Sequence, residues 1–268
     1  MVNLTETLDR PGCALHYADL GGDGPALLLS HGAGADHHMF DHQAHHLTSR
    51  GHRVVVWDMR GHGVSRPNSS GFTAQGAVDD VLALIQQLEL DRPILAGHSL
   101  GGNLSQNLVR RSPDDFRGLI VMDSTWNTGP LTRVERLLLS IAAPSLSLIP
   151  ARSLPRIMAR ASAVTSGAQE DAVRAFSQMS KQEFIAVWRA TTEFVAPDSS
   201  YTTPVPLCLI RGEKDSTGNI ATAMPQWAEF EGVGEHVVPG AGHLVTQDAP
   251  HAVSAILESF LTSVKSGE

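Results

Sequence analysis

Gly97-His98-Ser99-Leu100-Gly101 constrains the fold of this chain more than any other five residues. It follows the apolar run Pro93-Ile94-Leu95-Ala96 and precedes a helix-like stretch, Leu100 to Arg111. A strand, a G-x-S-x-G turn and a helix in that order require a very tight reversal. The serine is then pushed out of the backbone in a conformation side chains rarely adopt. Such a turn leaves no room for side chains on its flanks, which accounts for Gly97 and Gly101. The helix that begins there points free backbone N–H groups at any negative charge developing beside Ser99. The pattern predicts a nucleophilic serine at the end of a buried strand.

Other apolar runs carry the same message. Ala26 to Ser30, His52 to Trp57 and Leu119 to Met122 read as strands. Helical patterns fall between them, at Phe40 to Ser49 and Thr73 to Leu90. Strands apolar on both faces and alternating with helices indicate a mostly parallel, doubly wound α/β sheet covered on both sides. From Trp126 to Thr203 the pattern turns helical only, punctuated by Pro144, Pro150, Pro155 and Pro197. Alternation resumes with a strand at Val205 to Ile210, a helix around Ala221 to Phe230, a short strand at His236 to Val238 and a last helix, Ala249 to Val264. The simplest organisation is one α/β core, residues 1–125 and 204–268, interrupted by a helical insertion, residues 126–203. Charge sets the insertion apart as well. It holds eight basic and six acidic residues, a balance of +2 in a chain of net charge −8, so the remainder carries −10.

A serine hydroxyl is a poor nucleophile at neutral pH; it needs a general base, and the base needs an orienting carboxylate. In a doubly wound sheet both must come from the carboxyl ends of strands. Asp215, in Arg211-Gly212-Glu213-Lys214-Asp215, follows one strand, and His243, in Pro239-Gly240-Ala241-Gly242-His243, follows the next. Ser99, Asp215 and His243 are thereby predicted to share one edge of the sheet.

Four segments together resemble the α/β-hydrolase fold family. They are Gly97 to Gly102, Asp58 to Ser65, Gly212-Glu213-Lys214-Asp215 and Gly240-Ala241-Gly242-His243. Within that family they look most like small bacterial esterases, C–C hydrolases and haloperoxidase-type members with a helical cap. The resemblance covers the whole chain except the insertion. It implies a serine hydrolase without a cofactor, with Ser99 as nucleophile, His243 as base and Asp215 as acid. Asp123 is the rival acid, since some members use the position after the Leu119–Met122 strand. The resemblance also implies an oxyanion hole from the backbone N–H groups of Leu100 and Ala33, with Gly32 and Gly34 allowing close approach. His98 is expected to point away from the pocket. His31 and His62 are expected to make structural hydrogen bonds, and Arg60 to tie loops together.

The insertion should cover Ser99 and set specificity, with Trp126 and Trp188 as candidate substrate-binding residues and the remaining apolar side chains mainly joining it to the core. The expected substrate is a small molecule, an ester or lactone with a small to medium apolar acyl group. C–C hydrolysis of a ring-fission dienoate is the first alternative. A ligand receptor or a cofactor-free oxygenase or perhydrolase is an alternative of another class. The acidic balance argues against nucleic acid as a partner. No apolar stretch reaches the roughly 18 residues of a membrane span. Cys13 and Cys208 form no C-x-x-C pair, and a cytoplasmic location is expected from them and from the absence of a secretory pattern. The histidines of Asp36 to His46 could bind a metal at helical spacing, but a solvated helix face is the expected reading.

Overall fold

The apolar runs become the centre of one eight-stranded sheet in the computed structural model, which describes residues 1–266. The strands are β1 (Glu6–Arg10), β2 (Cys13–Asp19), β3 (Asp23–Ser30), β4 (His52–Trp57), β5 (Ile94–His98), β6 (Gly118–Met122), β7 (Leu207–Gly212) and β8 (Glu235–Val238). Their order across the sheet is β1-β2-β4-β3-β5-β6-β7-β8. From β4 to β8 all neighbours are parallel, while β1 and β2 are antiparallel to their neighbours. The helices are α1 (Asp41–Ser49), α2 (Ala74–Gln87), α3 (Leu100–Arg111), α4 (Arg133–Leu146), α5 (Leu154–Ser162), α6 (Ser166–Phe176), α7 (Lys181–Thr192), α8 (Ile220–Glu231), α9 (Val245–Asp248) and α10 (Pro250–Ser266).

The central strands are buried on both faces. Leu27, Leu28, Leu29, Val54, Val55 and Val56 are all 0% exposed. Each such side chain contributes roughly 2 kcal/mol of hydrophobic stabilisation. Helix α2 shows how a flank is built. Thr73 caps it by accepting the Gly76 N–H, and Ala77, Val78, Val81 and Leu84 form its buried face. Asp80 on the same helix is buried too, and Arg60 neutralises it through a 2.6 Å bond from Nε. Arg60 thus ties its loop to α2, as the sequence suggested.

Topology positions the site. The chain runs outward from β3 to β4, then crosses back to place β5 on the other side of β3. Loops leaving β3 and β5 diverge at that reversal and open a crevice at the carboxyl ends of the strands. Ala33 follows β3 and Ser99 follows β5.

Three local differences from the sequence reading have physical causes. The hairpin β1–β2 was not anticipated, because β2 alternates buried and exposed residues instead of forming an apolar run. The strand expected from Val205 begins at Leu207, after Pro206, which has no N–H for the ladder. The last helix forms as expected, as α10, but a short helix that the sequence reading lacked, α9, precedes it; Ala249, which Pro250 biases away from helical geometry, separates the two.

Helices α4 to α7 all lie between β6 and β7. Thr132 and Ser180 close capping boxes with Glu135 and Glu183 at the starts of α4 and α7. Asp248, at the end of α9, accepts the Val164 and Thr165 N–H groups and so joins these helices to the core. Among the described residues no helix is long and apolar enough to cross a membrane.

Candidate active site

Ser99 sits between β5 and α3 with φ +50° and ψ −114°. A Cβ on Gly97 would stand 2.0 Å from the Gly101 carbonyl oxygen, and one on Gly101 would stand 2.0 Å from the Ser30 carbonyl oxygen. Only glycine permits this approach of β5, α3 and β3, and the serine is forced outward as a result. Its backbone is pinned: its N–H donates to Met122 O (2.9 Å), and its carbonyl accepts from Ser124 Oγ (2.8 Å). Leu100 is the first residue of α3, and Ala33 follows the end of β3. Neither N–H has an acceptor among the described residues, so both are available to a developing negative charge.

Asp215 and His243 come from the loops after β7 and β8. His243 Nδ1 lies 3.0 Å from Asp215 Oδ2, with His243 7% and Asp215 4% exposed. The carboxylate fixes Nδ1 as the protonated nitrogen, so Nε2 carries the lone pair. Thr217 N–H donates to Asp215 Oδ1 at 2.8 Å. Burial opposes ionisation of Asp215, but the His243 charge and these hydrogen bonds outweigh it and hold the carboxyl well below its usual range. The two loops can meet because Gly212 has no side chain; a Cβ there would stand 2.0 Å from Gly242 O. Asp123, the rival acid, is fully buried behind Asp215 and makes no hydrogen bond to His243.

Ser99 opens into two cavities. One, of about 170 Å³, is lined by Ala33, His98, His243, Phe176, Phe184 and Trp188, among others. The other, of about 310 Å³, is more apolar, with Leu131, Leu138, Leu139, Ala142, Val195 and Ile220 in its wall. Ser99, Trp188 and Thr217 line both. Of the expected site residues, Ser99, His243, Ala33 and Trp188 therefore meet at the first cavity. Asp215 touches it through His243, and Leu100 adjoins it from beneath, fully buried.

Trp126 does not belong with them. It is 6% exposed and lines neither cavity. Its ring stacks on Trp227 at 6.0 Å and 4°, and Phe230 packs 5.2 Å away. Gly129 folds over it. It is a packing residue at the foot of the insertion, held by partners a hundred positions away that the local sequence does not indicate.

His98 corrects a second expectation. Its ring lines the smaller cavity, 4.8 Å from that of His243, and Nε2 donates to His243 O at 2.7 Å. Burial, and then the His243 charge, lower its pKa to about 3, so it is neutral. It fixes the His243 backbone. His31 and His62 make backbone hydrogen bonds, His31 to Gly32 O and from Met59 N–H, His62 to Arg60 O. The histidine-rich segment is a solvated face only in part: His45 is exposed and His38 half-buried. His37 is buried on Asp58, while His42 and His46 bond Ser254 and Glu258 of α10.

Thr217 and His98 were missed as site residues. For Thr217 a signal exists, since an aspartate commonly accepts the N–H two residues on. For His98 none does, because its acceptor comes from a distant loop.

Residues 27–256 match the profile of the Alpha/beta hydrolase family, and the chain belongs to that family. Hydrolase is accordingly the class of enzyme it falls in. It is 24% identical to epoxide hydrolase 2 of Siraitia grosvenorii, over 95% of this chain and 97% of that protein. It is also 24% identical to 3-oxoadipate enol-lactonase 2 of Acinetobacter baylyi, over 95% and 97%. Among solved structures, a thermophilic esterase from Thermogutta terrifontis superposes with a TM-score of 0.80 at 24% identity, covering 96% of this chain and 97% of that one.

Proposed function

We propose that Ser99, His243 and Asp215 act as nucleophile, base and acid, and that the protein hydrolyses a carboxylic ester or lactone with a small to medium apolar acyl group. The observation that carries this reading is the 3.0 Å bond between His243 and Asp215, on a histidine that lines the same cavity as Ser99. Ser99 Oγ attacks the carbonyl carbon while His243 Nε2 takes its proton. The N–H groups of Ala33 and Leu100 hold the oxyanion, a contribution of roughly 10²–10³ in rate for each such donor. Collapse returns the proton to the departing alkoxide and leaves an acyl-enzyme. Water, deprotonated by the same imidazole, then releases the acid. No Ser99–His243 hydrogen bond is present among the described residues; bonds of this kind often close only around substrate.

Chemistry selects among the bonds named in the relatives. Attack of a serine hydroxyl on an epoxide yields an ether, which this base cannot hydrolyse. Attack on an ester or lactone yields an ester, which it can. The apolar wall of the 310 Å³ cavity supports an apolar acyl group. Residues 126–203 act as the cap in this reading, since α5, α6 and α7 supply Met158, Phe176, Phe184 and Trp188 to the cavity beside Ser99.

The test is a panel of p-nitrophenyl esters and lactones of increasing chain length, with a ring-fission dienoate alongside and Ser99→Ala as blank. Hydrolysis of esters or lactones that the blank lacks is the expected result. Turnover of the dienoate alone would assign C–C hydrolysis instead.

A further inference from the structure

Asp123 follows β6 directly, with φ +43° and no exposed surface. Its Oδ1 accepts the Gly212 N–H at 2.8 Å. Its Oδ2 is buried and finds no donor among the described residues. An ionised carboxylate in that position would have one oxygen solvated by a single amide and the other by nothing, which is a large uncompensated cost.

The polar group that the Asp123 carboxyl does have nearby is another carboxylate, that of Asp215. One carboxylate oxygen from each aspartate and one ring nitrogen of His243 lie within 4.8 Å of one another. Asp215 is already supplied, by Thr217 N–H on Oδ1 and His243 Nδ1–H on Oδ2. Two carboxylates in one buried site do not both ionise. A single proton resolves the arrangement, because it turns the unpartnered oxygen into a donor and gives Asp215 a third hydrogen bond.

We propose that Asp123 is a positioning residue: its carboxyl is kept in the acid form, and its O–H donates to Asp215 and fixes that carboxylate against His243. The inference rests on the reading of Asp215 and His243 as acid and base. The groups that face Asp123 bear it out. Asp215 and His243 approach from the loops after β7 and β8, and Gly212 N–H from the end of β7. The cation that acts on it, Arg211, is held by Glu235 through a 2.7 Å bond. Burial and the Asp215 charge raise the Asp123 pKa well above its ordinary value, against the opposing pull of Gly212 N–H and Arg211. The distinction matters for catalysis. A second negative charge beside Asp215 would hold the imidazole protonated at neutral pH, whereas a neutral donor orders the carboxylate and leaves His243 free to accept a proton.

Infrared difference spectroscopy of the intact protein at pH 7 tests this directly. Wild type minus Asp123→Asn should show the carbonyl stretch of a protonated carboxylic acid, persisting from pH 5 to pH 9, and Asp123→Ser should give the same difference. Absence of the band against a folded variant overturns the proposal, as does a stoichiometric divalent cation in the purified protein. Kinetics provide a second arm. Asp123→Asn keeps a neutral donor toward Asp215, so kcat should stay within about threefold and the acid limb of kcat/KM should not move. Asp123→Ala should lower kcat about tenfold and move that limb to higher pH. A limb that falls by about one pH unit in Asp123→Asn would mean a charged Asp123 in the wild type. Equal losses in both variants with an unmoved limb would mean a merely structural role. Should no substrate be hydrolysed at all, the infrared band and the NMR titration of the His243 ring still decide on Asp123, so the two failures are distinguishable.

Discussion

Arg174 on α6 grips the carboxylate of Asp36 with two hydrogen bonds, of 2.6 and 2.8 Å. Asp36 stands three residues beyond Ala33, in the loop that follows β3. The same carboxylate accepts from Gln178 and from the His38 N–H. One buried acid thus joins the inserted helices to the loop that forms a wall of the smaller cavity.

That contact makes stability pH-dependent in a defined window. Burial works against the ionised form, but the Arg174 hydrogen bonds and charge prevail and lower the Asp36 pKa from 3.8 to about 2. A carboxyl depressed on folding stabilises fully above its unfolded pKa and loses that contribution as pH falls toward the folded value. Arg174 is 40% exposed, so the contribution at pH 7 is roughly 1–2 kcal/mol after allowance for solvent screening. Asp36→Asn should lose about that much in urea unfolding at pH 7, and its gap from wild type should shrink between about pH 4 and pH 2. An undiminished gap at the lower pH would contradict this.

Ser99→Ala should lower turnover of the best ester by roughly 10⁶ while the unfolding midpoint stays close to wild type. His243→Ala should cost about as much, because nucleophile and base act as one unit. Near-normal turnover in either variant would end the serine-hydrolase reading.

Trp188 borders both cavities beside Ser99, so Trp188→Ala should merge them. The ratio of kcat/KM for a long acyl ester to that for acetate should rise roughly tenfold, the scale at which one or two methylenes are discriminated. Trp126→Phe should lower stability and leave that ratio unchanged. Chain-length profiles of the two variants, measured side by side, check both statements.

Gly97→Ala should not yield folded protein, since its Cβ meets a backbone oxygen at 2.0 Å and nothing flexible can give way. A loss above ~4 kcal/mol is expected. Gly167 offers the control: it lies in α6 with no heavy atom within 4 Å of a Cβ. Gly167→Ala should gain roughly 0.5–1 kcal/mol by thermal unfolding.

The sequence carried the parallel sheet and the three candidate residues of the site for one reason: each is written in a short local pattern. Buried strands appear as unbroken apolar runs, and Ser99 and Asp215 each follow such a run within a few positions, while His243 follows a short, largely exposed strand marked by Val237-Val238 and the glycines after it. What escaped depends on neighbours distant in the chain. Asp123 acquires its surroundings only because Met122 pairs with Ile210, which sets β6 beside β7. Trp126 finds Trp227, and His46 finds Glu258, through helix placements that no nearby residue encodes. His98 closes a strand, where side-chain alternation ceases to predict direction.

The position of the four helices between β6 and β7 has a consequence for engineering. Ser99 is written before them, and Asp215 and His243 after them. A chain cut in the turn between α6 and α7 would part Ser99 from Asp215 and His243. Fused to two proteins that associate, the fragments would bring the three residues back together only when their carriers meet, so any reaction that needs all three would report the meeting.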